Sequence, residues 1–123
     1  MLDHVGLNVR EFARSRRFYE QALEPLGWRL VMGGDDWKGA GFGREDKPVF
    51  WIIERDPAGT GTHVAFNCSD RATVDAFHAA ALAAGGTDNG APGVREHYHP
   101  TYYGAFVLDP DGNNVEAVCH TPA

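Results

Sequence analysis

The sequence predicts an α+β fold built from two copies of one βαβββ unit. Three observations predict it. First, the chain repeats itself: segment 3–23 aligns with segment 62–82 without a gap, at an offset of 59 residues. His4 matches His63, Val5 matches Val64, Asn8 matches Asn67, Ala13 matches Ala72, Phe18 matches Phe77 and Leu23 matches Leu82. These are six identities in 21 positions, where ordinary residue frequencies give roughly one or two. Second, each copy opens with strand alternation. Third, each copy then changes to helical spacing, and three further strand candidates follow.

In the first copy, Val5, Leu7 and Val9 alternate with His4, Gly6 and Asn8. In the second, Val64, Phe66 and Cys68 alternate with His63, Ala65 and Asn67. Period two means that one face of each strand is apolar and the other carries a His, a small residue and an Asn. Phe12, Arg16, Tyr19 and Leu23, and then Val74, Phe77, Ala81 and Ala84, recur at helical spacing. Ser69 or Asp70 suits the cap of the second helix. Gly27, and Gly85 with Gly86, suit helix exits. The apolar strand faces are expected under these helices, with the His/Asn faces turned away. The later strand candidates are Trp28–Met32, Lys38–Gly43 and Val49–Ile53, then Gly86–Gly93, Tyr102–Leu108 and Asn114–Cys119. Gly33-Gly34-Asp35-Asp36, Arg44–Pro48 and Asp109-Pro110-Asp111-Gly112 read as turns. Each half is marginal for independent folding. The expectation is one domain over 1–123, with module one at 1–55, a linker at 56–61 and module two at 62–123.

Composition sets limits on function. The 123 residues are 43% hydrophobic and 23% charged, with a formal net charge of −6. An acidic chain is not an obvious partner for nucleic acid, nor for an anionic membrane surface. No apolar stretch is long enough to span a bilayer. The opening Met1–Gly6 lacks the features of a signal peptide, so a cytoplasmic location is expected. Cys68 and Cys119 are the only two cysteines. They do not make a disulfide framework and read as small buried hydrophobes.

The chemistry-bearing set is His4, His63 and Glu116. The two histidines occupy equivalent places on equivalent strands. On the last strand, Asn114, Glu116 and Val118 share one face. If the opposite face meets a helix, Glu116 points to the side of the histidines. Taken singly, a strand His is more often a hydrogen-bonded structural residue, and a Glu on a terminal strand is more often solvated. The repeat shifts the balance, because a barrel built from two copies brings the histidines together. Two imidazoles and a carboxylate hold a divalent ion and leave positions open for substrate; zinc with a bound water is also compatible. Segment 94–103 packs Arg95, His97, Tyr98, His99, Tyr102 and Tyr103 around Pro100. It is read either as a strand edge broken by proline or as a cleft wall, with His97 or His99 as general base and the tyrosines against a planar substrate. Trp37, Phe42 and Trp51 offer an aromatic floor, core packing being the alternative for Trp51. Asn8 and Asn67 are expected to orient ligands or to satisfy polar groups beside them. His78 and His120 read as surface residues.

Asp3-His4-Val5-Gly6-Leu7 and Thr62-His63-Val64-Ala65-Phe66 resemble the first strands of vicinal oxygen chelate modules. Residues 106–116, Phe106 to Glu116, resemble that superfamily's closing motif, F-x-x-DPDGN-x-x-E. Arg14-Ser15-x-x-Phe18-Tyr19 is also typical. The superfamily includes glyoxalases, bleomycin-resistance proteins and extradiol dioxygenases. The resemblance implies two βαβββ modules in a curved, half-open barrel with helices outside, often completed by dimerisation. It implies a divalent ion (Fe, Mn, Zn or Ni) on His4, His63 and Glu116, and a small substrate that chelates it through neighbouring oxygens. Glyoxalase I-like members add a fourth ligand, which falls near Trp51; Glu54 is an off-register substitute. By resemblance to extradiol enzymes, an acid–base His falls on His97. Their Tyr falls on Phe106, unless Tyr102 or Tyr103 replaces it. The expected function is a metalloenzyme of dioxygenase or lyase/isomerase type, working as a homodimer on a small molecule. The alternative is a metal-free binding protein of the bleomycin-resistance type.

Overall fold

A computed structural model describes residues 2–122. The chain runs β1 (Val5–Val9), α1 (Phe12–Leu23), a 3-10 turn (Glu24–Leu26), β2 (Arg29–Gly34), β3 (Gly39–Gly43) and β4 (Phe50–Glu54). It continues β5 (His63–Asn67), α2 (Arg71–Ala83), β6 (Thr87–Val94), β7 (Tyr103–Leu108) and β8 (Asn114–Cys119). Two four-stranded sheets result, ordered β1-β4-β3-β2 and β5-β8-β7-β6. Each is therefore a βαβββ unit with the same strand order, as the repeat predicts. In each, the first strand pairs parallel with the last, and the remaining pairs are antiparallel.

The apolar strand faces carry the core. Leu7, Val9, Phe50 and Ile52 are buried in the first sheet, and Phe66, Val107, Val115 and Ala117 in the second. Helix α1 buries Phe12, Ser15, Phe18, Tyr19, Ala22 and Leu23. Arg16, expected on that face, instead pairs with Glu20 at 2.9 Å and Asp35 at 3.1 Å on the outside. Helix α2 buries Val74, Phe77 and Ala81 as its spacing predicts. The Phe66 ring joins the units, meeting Trp28 and Phe50 at centroid distances of 5.4 Å each. Both cysteines are buried and free, and burial pushes the Cys68 thiol up to about 11.

The two helices begin differently. Asp70 caps α2, accepting from the Thr73 N–H at 2.7 Å. Helix α1 has no cap of its own at Glu11. The Phe12 N–H instead donates to the Glu54 carboxylate at 2.9 Å, from the end of β4. That bond, with Lys38 beside it, holds the Glu54 carboxyl below its ordinary range. Glu54 thus works as the cap of α1 rather than as a substitute metal ligand, because its oxygen is committed to an orphan helix donor. Gly27 ends the 3-10 turn at φ 79°, in the left-handed region, as an exit glycine should. His78 is not a free surface residue: its side chain is 13% exposed and bonds Asp88 at 2.9 Å. Among the described residues, no helix is long and apolar enough to cross a membrane.

Candidate functional site

The open face of the second sheet carries a polar cluster around Glu116. This residue is 1% exposed, and a carboxylate so buried needs partners for its lone pairs. It has two. His63 Nε2 lies 2.7 Å from Oε1, so the Nε2–H donates when the carboxylate is ionised. The Tyr102 hydroxyl donates to Oε2. Burial, and next the bond and charge of Glu116, push the Tyr102 phenol well above its usual range, so it stays protonated and donating at neutral pH. Gly104 makes room for this contact. A Cβ there would stand 3.0 Å from the Tyr102 ring and 3.3 Å from Glu116 Oε2. The Phe106 and His63 rings lie 6.3 Å apart, and the Arg95 guanidinium sits 5.4 Å above the Phe106 ring centroid.

The open face of the first sheet carries a different set. His4 precedes β1, and its Nδ1 meets Asp3 at 2.8 Å; Asp3 also pairs with Lys47 at 2.5 Å. A cavity of about 550 Å³ opens here, lined by Asp3, His4, Gly6, Lys47, Pro48, Trp51 and Ile53. Trp51 is half-buried in that lining, so it is a cleft residue and not part of the core. The ladders explain its place: Gly6 pairs with Trp51 as Ala65 pairs with Glu116, and Gly6 matches Ala65 in the repeat. Trp51 therefore stands where Glu116 stands in the other unit. The indoles of Trp51 and Trp37 are parallel within 3°, with centroids 6.4 Å apart.

The structure therefore brings together two of the three expected ligands, His63 and Glu116. His4 lines the cleft of the first sheet and also borders a small recess with Val64 and Ala65 of β5. Among the described residues no group of three or more His, Cys, Asp or Glu side chains is placed to hold a metal ion. Of the tyrosines, Tyr102 reaches Glu116. Tyr103 turns instead to α2, donating to Asp75 at 2.6 Å with the Arg71 guanidinium over its ring. The segment after β6 is a turn rather than a strand edge. Within it, the His97 ring lies 4.2 Å from Tyr98, and Tyr98 packs on Tyr102 at 5.0 Å. His99 Nδ1 accepts from the Thr101 N–H at 3.2 Å and its ring faces His120 at 5.8 Å. The Asn8 amide donates to the Pro57 carbonyl at 3.3 Å, tying down the linker. Asn67, four residues along β5 from His63, lines a recess with Trp28 and Arg44.

The sequence does not show the Asp3–Lys47 pair, nor the long-range contacts of the framework that holds β8. The signal for the first was the parallel β1/β4 register, which sets the residues before each strand side by side. The framework is the Asp109–Asn113 turn. Asp109 accepts from the Asp111 and Asn113 N–H groups at 2.9 and 2.8 Å, and from the Tyr19 hydroxyl at 2.6 Å. Asp111 takes Arg14 at 3.0 Å. Asn113 donates to the Gly59 carbonyl and accepts from the Thr62 N–H. Helix α1 and the linker are thereby fastened to the strand that carries Glu116.

No curated protein matches the sequence, but solved structures do. A glyoxalase/bleomycin resistance protein from Albidiferax ferrireducens T118 is 30% identical, with 95% of this chain and 97% of that one covered and a TM-score of 0.82. A variant of glyoxalase I from Zea mays is 27% identical, with 95% of this chain and 45% of that one covered and a TM-score of 0.70. The fosfomycin resistance protein FosX from Mesorhizobium loti shares the fold at 21% identity, with 98% and 92% covered and a TM-score of 0.68. A profile of the Glyoxalase/Bleomycin resistance protein/Dioxygenase superfamily matches residues 1–117. With the repeat, the strand order and the Asp109 turn in agreement, the chain belongs to that superfamily.

Proposed function

We propose that the protein is a divalent-metal-dependent enzyme acting on a small organic substrate that binds the metal through neighbouring oxygens. The single observation that carries this is the buried Glu116 facing His63 Nε2 at 2.7 Å. Two donors sharing a metal at right angles, with bonds of 2.0–2.2 Å, stand about 3 Å apart. A metal ion can thus replace the shared proton with little movement. His4 of a second copy supplies the third donor, since His4 of the same chain is engaged with Asp3 and is not gathered with His63 and Glu116 among the described residues. Two imidazoles and one carboxylate suit Fe, Mn, Zn or Ni, with open positions for substrate. When bound, the ion supplies Lewis-acid stabilisation of an oxyanion. The chain's own residues do the rest. Tyr102 holds Glu116 Oε2 in place and keeps its proton at neutral pH. Phe106 and Arg95 wall the approach. His97 and His99, on the turn leading to Tyr102, are the side chains of this segment assigned to acid–base work. The likeness to glyoxalase I from Zea mays supports lyase or isomerase chemistry as readily as dioxygenation.

Calorimetric titration with Mn(II) and Zn(II), on protein purified without chelator, tests the reading. Wild type takes up metal at micromolar concentration, and Glu116→Gln, which keeps both hydrogen-bond partners, does not. Failure of wild type to bind either ion in several preparations defeats it. The cavity under Trp51 favours one second reading, a metal-free binding protein. That reading requires ligand affinity unaffected by chelator and by Glu116→Gln.

A further inference from the structure

We infer that Cys68 and Cys119 are a modification site: a dithiol that hydrogen peroxide closes, reversibly, into a disulfide tying the end of β5 to the end of β8. This goes beyond the metal reading and does not depend on it. The two cysteines are the only ones in the chain, and the strand ladder sets them side by side. β5 pairs parallel with β8, with His63 opposite Asn114 and Asn67 opposite Val118. The pairing continues past Asn67, because the Cys68 N–H donates to the Val118 carbonyl at 2.7 Å. One more step along each strand therefore sets Cys68 opposite Cys119. Alternation gives both side chains one face, that of Phe66 and Ala117, and both residues are buried there. Paired strands run about 4.8 Å apart, inside the Cα separation of about 4.4–6.8 Å that a disulfide spans. Neither thiol is held by a strong bond. Cys68 Sγ meets the Phe66 carbonyl and Cys119 Sγ the Thr121 carbonyl, each at 3.8 Å. A recess of about 280 Å³ opens at Cys119, between the Ser69–Arg71 loop and the tail at Thr121 and Pro122. It admits an oxidant as small as hydrogen peroxide, so Cys119 reacts first. Burial, and next the Cys119 thiol beside it, push the Cys68 thiol up to about 11. That suits Cys68 to the second step, in which its target is the adjacent sulfur. The Cys119 sulfur attacks a peroxide oxygen; the O–O bond breaks, and hydroxide leaves with the thiol proton as water. Cys119 is then a sulfenic acid. The Cys68 sulfur attacks the Cys119 sulfur; the S–O bond breaks, and a second water leaves with the Cys68 proton. The two thiols together lose two electrons, and the peroxide is reduced to two waters.

The test treats folded, reduced wild type with hydrogen peroxide, with chelator present to remove redox metals, and reads thiol content and intact mass. Titratable thiols fall from two to none, the mass falls by about 2 Da, and proteolysis yields a peptide pair joined through Cys68 and Cys119. Dithiothreitol restores both thiols. Cys68→Ala stops at a sulfenic acid on Cys119, trapped by dimedone, and forms no bridge within the chain. Cys119→Ala loses its remaining thiol at least about tenfold more slowly than wild type. Because the bridge closes a loop of about 50 residues in the unfolded chain, the denaturant midpoint rises on oxidation and falls back on reduction. Retention of both thiols in folded wild type, under conditions that oxidise the urea-unfolded chain, would overturn the inference. So would a mass gain from sulfinic or sulfonic acid without a bridge, a bridge between chains in place of one within the chain, or a midpoint that oxidation leaves unchanged.

Discussion

Glu116 is sealed from water, yet it faces an open cleft through two donors. Both donors are side chains from other segments, so the carboxylate is held by tertiary structure alone. Removing one leaves a buried oxygen without a partner, which costs about 1–3 kcal/mol. Tyr102→Phe is therefore expected to lower unfolding stability by that amount in denaturant titrations, with the fold unchanged by circular dichroism. The pH dependence has a definite sign. The Tyr102 phenol is raised by burial and then by Glu116, and Tyr19 is raised well above its usual value by burial and then by Asp109. A raised phenol stabilises the fold fully below the unfolded tyrosine value of about 10, and the stabilisation is lost as pH rises towards the folded values. Ultraviolet titration should show Tyr102 and Tyr19 ionising only as the protein unfolds. Ionisation of Tyr102 and Tyr19 near the ordinary value in the folded protein would contradict the contacts. Glu116 itself was readable in the sequence, because strand alternation fixes its face. The direction of Tyr102 was not, since it ends a turn where no period operates.

At the level of elements, the turn Asp109–Asn113 does more than reverse the chain. Its acidic side chains receive bonds from α1, through Tyr19 and Arg14, and Asn113 holds the linker. Asp109→Ala strands the Tyr19 hydroxyl and two backbone N–H groups at a 4% exposed site. The expected loss is about 3 kcal/mol or more. Tyr19→Phe alone should cost about 1 kcal/mol, and the double variant should cost less than the sum, because the two residues share one bond. Additive costs in denaturant melts would contradict the coupling. The sequence displayed this turn as a motif and displayed Arg14 and Tyr19 as another. Nothing local shows that the two motifs touch, because they lie about 90 residues apart and meet only when the units pack. Capping divides in the same way. Asp70 was legible as a local cap, whereas α1 takes its cap from Glu54, 42 positions later.

The molecule as a whole is a duplicated unit whose copies differ at the register position that carries Trp51 in one and Glu116 in the other. The fold class and element order were legible because duplication repeats the pattern of faces, and two noisy readings of one unit reinforce each other. The relation between the clefts was not legible, since it depends on how aromatic packing of Phe66 on Trp28 and Phe50 orients one sheet against the other. His4 is not gathered with the His63–Glu116 pair among the described residues, and the proposed site needs a second copy to join them. Metal uptake by a mixture of two variants tests this most directly. His4→Ala and Glu116→Gln are each expected to bind no Mn(II) alone. Mixed and allowed to exchange chains, they form heterodimers in which one of the two sites draws His4 from one chain and His63 and Glu116 from the other. Random pairing restores about one quarter of the wild-type stoichiometry. Recovery near that level is the predicted result; no recovery, or full binding by His4→Ala alone, would contradict it.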